Sequence, residues 1–165
     1  MNWLPKFLSL MGMVSILLTA VPAQQVPPAD QAVSVDDQVI QQVLEPLRTG
    51  VQTHNVQLAL SVFDRKELKN YPNLDGELRA FFEQFDEIRF RYQLLQVTAD
   101  KDRGSATAEM EIDALPYDVT QIPVRRSARM RLQLKLEPKG WRIVGFTPAD
   151  FFSVQYNPGE NGQRK

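Results

Sequence analysis

Between Glu87 and Phe146, loops aside, apolar side chains recur at every second position, and no other feature of the chain restricts its fold so tightly. A strand points successive side chains to opposite faces, so this period marks strands with one dry face and one wet one. Ile88, Phe90, Tyr92 and Leu94 alternate with Arg89, Arg91 and Gln93. The alternation slips at the Leu94–Leu95 pair, which predicts a bulge before Val97. A second strand turns Ala106, Ala108, Met110, Ile112 and Ala114 inward and Thr107, Glu109, Glu111 and Asp113 outward. A third sets Ala128, Met130, Leu132, Leu134 and Leu136 against Arg129, Arg131, Gln133 and Lys135; the turn EPKG follows, and WRIVGF forms a fourth. Strands of this kind build an antiparallel sheet covered on a single side.

The cover is supplied from upstream, where the period changes to that of helices. Asp36 or Asp37 can cap a first helix carrying Val39, Ile40, Val43, Leu44 and Leu47. Pro46 falls within it and predicts a kink or interruption, because proline lacks the donor N–H and crowds the preceding turn. Gly50 marks a further irregularity. Leu58, Leu60, Val62 and Phe63 predict a second helix ending near Asp64. NLDGELRAFFEQFDE predicts a third, capped by Asn73 or Asp75, with Leu78, Phe81, Phe82 and Phe85 on one apolar face. The fold class is therefore α+β, with N-terminal helices packed on an antiparallel sheet.

The first 23 residues are of another kind. One lysine, an uncharged apolar run from Phe7 to Val21 and small residues at Val21 and Ala23 have the layout of a signal peptide cleaved after Ala23. Residues 24–35 are Pro- and Gln-rich and read as a linker, 36–156 as the domain, and 157–165 as a disordered tail. Export to a periplasmic or extracellular location follows, with membrane attachment expected only if the leader stays uncleaved. The chain has no cysteine, which excludes disulfides, thiolate metal sites and a cysteine nucleophile. A single histidine rules against a histidine-built zinc site, and no metal or cofactor is expected. With a formal charge of −1, nothing in the overall balance points to nucleic acid or anionic lipid.

The helix pair ending LALSVFD, the short helix LRAFFEQF and the closing strand GWRIVGF, within Asp36 to Tyr156, resemble the nuclear transport factor 2-like (SnoaL-like) superfamily. The resemblance implies a strongly curved sheet that wraps the helices into a cone, with a ligand pocket in its interior or mouth. The superfamily holds isomerases, dehydratases and cyclases beside non-catalytic binding modules, so fold alone does not decide function.

On that expectation Phe63, Phe82, Phe85, Phe90, Tyr92, Met110, Met130, Leu132 and Trp141 line the pocket, with His54 and Tyr92 as its polar contacts. Catalysis needs titratable groups aimed inward, with pKa values tuned by burial. The inward rows are almost wholly Ala, Met, Leu and Ile, while Glu109, Glu111 and Asp113 take the opposite parity. Tyr92 is the one inward titratable group on a strand, with Arg126 and Tyr117 near the mouth. His54, beside Asn55 at a helix junction, reads as structural ahead of a pocket contact or a base paired with Asp64 or Tyr92. No catalytic residue is assigned. Phe151 and Phe152, if extended, cannot face one interior, so one of them covers the mouth or meets a second subunit.

RFR at 89–91 and RRSARMR at 125–131 look like a basic patch. Their parity instead puts Arg89, Arg91, Arg129 and Arg131 beside the acidic row, giving a ladder of cross-strand ion pairs and no nucleic-acid surface. The sequence thus points to an exported non-catalytic module that binds an apolar small molecule, or a protein partner or second copy through its sheet. The alternative is a small-molecule isomerase, dehydratase or hydrolase of the same fold. A buried polar group projecting into the pocket distinguishes the two.

Overall fold

A computed structural model describes residues 34–154. The expected leader and tail, and all but the end of the linker, lie outside the described residues. Helices α1 (Val35–Val39), α2 (Glu45–Gln52), α3 (Val56–Leu60) and α4 (Tyr71–Gln84) precede strands β1 (Phe85–Asp100), β2 (Arg103–Pro116), β3 (Val124–Glu137) and β4 (Gly140–Thr147). The strands pair antiparallel in chain order, β1-β2-β3-β4. This corrects the strongly curved, cone-like sheet inferred from the resemblance: the sheet is open, with β1 at one edge and β4 at the other. Consecutive hairpins lay the strands side by side, and four of them fall far short of the roughly eight that close around a filled interior. The helices cover the apolar face instead of being wrapped by it.

The helical layer is more continuous than expected. Ser34, not Asp36 or Asp37, caps α1 by accepting from the Asp37 N–H, which leaves both aspartates in the first turn, where they favour the helix dipole. Pro46 causes no break. The five residues before α2, Ile40–Leu44, adopt π-helical bonding, and the Glu45 N–H reaches back to the Ile40 carbonyl. One wider turn absorbs the donor that proline lacks, so the chain stays helical from Val35 to Gln52. Gln42, on that wider turn, accepts from the Trp141 N–H at 2.9 Å and ties the layer to β4. Gly140, at φ +107°, fits under the same side chain, where a Cβ would collide with it.

Gly50 serves contact rather than irregularity: a Cβ there would lie 2.7 Å from the Ala59 Cα, so α3 packs on α2 only across a bare backbone. α2 ends in a Schellman motif, with Asn55 N–H bonded to the Gly50 carbonyl at 2.8 Å and His54 N–H to that of Val51 at 3.4 Å. His54 takes the left-handed position at φ 53°, where glycine is usual. Asn55 then caps α3 by accepting from the Leu58 N–H at 3.0 Å. α3 stops at Leu60, so Val62 and Phe63 do not continue a helix as predicted. Their segment runs beside β4, with Ile143 N–H bonded to the Val62 carbonyl and Asp64 N–H to that of Ile143, both at 2.8 Å. α4 starts at Tyr71, two residues ahead of the predicted Asn73 cap, with Pro72 in its first turn, where a missing donor costs nothing.

Phe81, Phe85, Phe90, Met110, Ile112, Met130 and Leu132 fill the space between helices and sheet, each under 2 % or at 2 % exposure. The predicted bulge is present, with a register shift between Leu94 and Gln96. Phe151 and Phe152 are both buried. Residues 148–153 turn instead of extending, which lets adjacent aromatics share one core and corrects the reading that one lies at a mouth or second subunit. Arg126 is buried with them, donating to the Phe151 carbonyl at 3.1 Å and stacking 4.8 Å above the Phe81 ring, a core position and not a mouth.

Candidate functional site

The wet face of the sheet carries the charge ladder that parity predicts. Glu109 stands opposite Arg129, and their side chains meet at 2.8 Å. Arg91 reaches Glu111 at 3.1 Å and Asp113 at 2.5 Å, and Arg125 bonds Glu111 from the other side. The Arg125 guanidinium, above all, holds the Glu111 carboxyl below the usual carboxylate range. A recess of about 270 Å³ on this face is bordered by Tyr92 and Met110 among the paired charges.

The sequence-predicted polar groups are occupied structurally. The His54 Nε2–H donates to the Phe85 carbonyl at 2.9 Å, and the ring meets Phe82 edge-on at 5.3 Å. Tyr92 donates its hydroxyl to Glu45, which also pairs with Arg48. Burial, with that carboxylate as the second cause, pushes the Tyr92 hydroxyl up to about 12. Phe63 borders a second recess of about 360 Å³, alongside Arg65, Tyr71 and the Asp75–Arg79 pair. Phe82, Phe85, Phe90, Met130, Leu132 and Trp141 are buried in the core and border none of the three cavities described.

The largest of these cavities, about 530 Å³, lies between the first half of α4 and the end of β4. The loop at its lip is anchored by Asp64, which is 7 % exposed and accepts from the N–H groups of Lys66 and Glu67 at 2.7 and 3.2 Å. Burial pushes the Asp64 carboxyl upward, but those two N–H groups and the charge of Lys135 outweigh it and hold the group below its ordinary value. Glu67 is gripped by Lys135 and by Arg103, the latter at 2.9 Å, which fixes the loop 64–70 over the β1–β2 and β3–β4 hairpin ends. On the far side, β4 contains one extra residue: Gln133 pairs with Gly145 and Leu134 with Ile143, so Val144 is a bulge. Gly145 has no side chain to displace the Gln133 amide, whose Oε1 would sit 2.8 Å from a Cβ.

Three kinds of surface face this space. Leu68, Leu74, Val144, Phe146 and Ala149 are apolar; Asn70, Asn73 and Gln133 present amides; Glu67, Lys69, Glu77, Arg103 and Asp150 are charged. Glu77 stands apart from the other carboxylates of the described residues named so far. It is half-buried and makes no hydrogen bond or ion pair among the described residues. Burial, reinforced by the charge of Asp150, raises its carboxyl above the usual range. Sequence reading missed it, although a signal exists. Glu77 is three residues after Leu74 and four before Phe81, so it falls on the buried stripe of its own helix. No group of three or more His, Asp or Glu is placed to hold a metal ion among the described residues. Nor is any helix there long and apolar enough to cross a membrane.

Helices leading into an antiparallel four-stranded meander, with a cavity where the last helix meets the last strand, make up an α+β fold whose likeness to known proteins lies in three-dimensional structure. The sequence matches no family model and no curated protein. Solved structures carry the likeness. A conserved protein from Planctomyces limnophilus aligns with a TM-score of 0.59 at 9% identity, over 67% of this chain and 92% of its own. A nuclear transport factor 2-like superfamily protein from Salmonella enterica gives 0.55 at 14% identity, over 66% and 86%. A provisionally assigned dehydratase of the same family from Streptomyces avermitilis gives 0.52 at 11% identity, over 67% and 92%. At these identities the likeness is one of fold.

Proposed function

We propose that this chain is an exported, non-catalytic module that binds a small molecule with an apolar body in the cavity between α4 and β4. The observation that carries the reading is the cavity itself. Its volume of about 530 Å³ falls in the range of small-molecule sites, and apolar walls with a few polar groups are what such sites present. The leader-like segment at Phe7–Val21 motivates the export part. None of the residues expected from sequence to line a pocket borders this cavity, and the guest meets Leu74, Val144 and Phe146 instead.

The test is fluorescence titration with a neutral solvatochromic dye. Val144→Trp fills the space from the bulge and is expected to weaken binding more than tenfold, about 1.4 kcal/mol, with an unchanged circular dichroism spectrum. Equal binding by wild type and variant would remove the cavity from the account.

Glu77 favours a second reading, in which the domain is a small-molecule isomerase, dehydratase or hydrolase. A half-buried carboxyl raised above its usual range is the kind of group that acid–base catalysis uses, and the Streptomyces avermitilis relative of the fold carries a dehydratase assignment. Turnover of a hydroxy-carbonyl probe, lost in Glu77→Gln while the dye still binds, would put the enzyme reading first.

A further inference from the structure

We infer that the cavity between α4 and β4 selects an organic cation, an amine with a compact aromatic or aliphatic body, and that Glu77 is the residue receiving its ammonium group. The inference rests on the cavity being the binding site and adds the class of ligand it takes.

The charges around the cavity are not equivalent. Arg103 is held by Glu67 at 2.9 Å, and Glu67 is held in turn by Lys135 as well, so this group is neutralised within the lip. Lys69 is exposed and makes no ion pair within the described residues, which leaves it in water at the rim. Glu77 differs from all of these. It is half-buried in the wall, and no cation of the described residues lies within ion-pair distance of it. Asp150, on the turn after β4, faces the same space and repels it. A carboxylate that has lost part of its water and gained no partner is unfavourable to the empty site, and a bound ammonium removes that deficit. With the Glu67–Arg103 pair neutral in itself, a bound anion would meet the unanswered carboxylate of Glu77 in the wall and only the exposed Lys69 at the rim to attract it.

The rest of the wall suits the remainder of such a ligand. Leu68, Leu74 and Val144 give an apolar bed for its body, and the half-buried Phe146 ring offers a face to either the body or the cation. The side-chain carbonyls of Asn73 and Gln133 can accept the other ammonium hydrogens.

Isothermal titration of the full chain at neutral pH and low salt with three probes of one shape separates the possibilities: 2-phenylethylamine, 2-phenylethanol and 3-phenylpropanoate. The amine is expected to bind at least tenfold tighter than the alcohol, with the carboxylate weakest. Glu77→Gln is expected to bring the amine down to the level of the alcohol and leave the alcohol unchanged, and Glu77→Asp to retain part of the preference. Should Glu77→Gln fail to fold, the wild-type ratio of amine to alcohol decides, and it must shrink as salt is raised. Equal binding of amine and alcohol, or a preference that survives Glu77→Gln, overturns the cation proposal while leaving the cavity in place. Binding of none of the three, or binding indifferent to Val144→Trp, overturns both.

Discussion

The outer face of the sheet and the wall of the α4–β4 cavity are both rich in charge, yet they use it in opposite ways. On the sheet, acidic side chains of β2 stand between arginines of β1 and β3, and Glu109, Glu111 and Asp113 each meet a guanidinium. In the cavity, Glu77 meets none; burial disfavours its charge, and the carboxylate of Asp150 adds to that. Density of charge is therefore a poor guide to function here. The informative residue is the one whose charge the fold leaves unanswered, in a concave space large enough for a guest. A third cluster, at the lip, shows what the fold does when it buries a carboxylate for structure alone. Asp64 is almost fully covered and fully supplied with donors.

That contrast breaks first, and by the largest amount, at the lip. Asp64→Ala takes the acceptor from two part-buried N–H groups and is expected to cost about 1–2 kcal/mol in denaturant unfolding, toward the lower end of the range for donors left unsatisfied. Glu109→Ala, which removes only the exposed pair with Arg129, is expected to cost no more than about 1 kcal/mol. Equal losses would mean that the two clusters do not differ. The pH dependence carries a sign. The folded value of Asp64 is lowered, so its stabilisation is complete above the ordinary carboxylate range, about pH 4, and is lost as pH falls through the lowered value.

A smaller effect separates the cavity from the ladder. Glu77 has a raised folded value, so its protonated form favours the fold at low pH, and that contribution is lost as pH rises through the raised value. Glu77→Gln is therefore expected to raise the thermal midpoint slightly at pH 7 and to make no difference at pH 4. Glu111 has a lowered value, chiefly through Arg125, and Glu111→Gln is expected to lower the midpoint slightly at pH 7. Thermal melts of both variants at the two pH values check this. Shifts of the same sign at pH 7 would erase the distinction between answered and unanswered charge.

Much of the sheet is legible in the sequence, because a period of two states both the strand and its face. Ile88, Phe90, Met110 and Ile112 are buried as the alternation requires, and the slip at Leu94–Leu95 is a bulge. Register then paired the ladder without further information. The helical layer was less legible, since Pro46 declares a missing donor but not how the chain absorbs it. The wider turn before it carries Gln42, whose partner, the Trp141 N–H, lies 99 residues away. Closure of the sheet was misread because strand length and alternation are local, whereas the number of strands that bend together is not. The candidate site was the least legible part. Its walls come from a loop at 67–70, one helix face, a bulge at Val144 and a turn at Asp150, which no sequence window contains together. Only Glu77, placed on an apolar stripe, carried a local sign.

The central claim is that small molecules enter at α4 and β4 and not on the charged face. Amide chemical-shift mapping during titration with neutral 2-phenylethanol tests it most directly, because an uncharged probe has no reason to follow the ladder. Saturable shifts are expected at Leu74, Glu77, Val144, Gly145 and Phe146, with Arg91, Glu111 and Arg129 unmoved. Shifts centred on those sheet residues, or no saturable shift around Val144, would contradict the account.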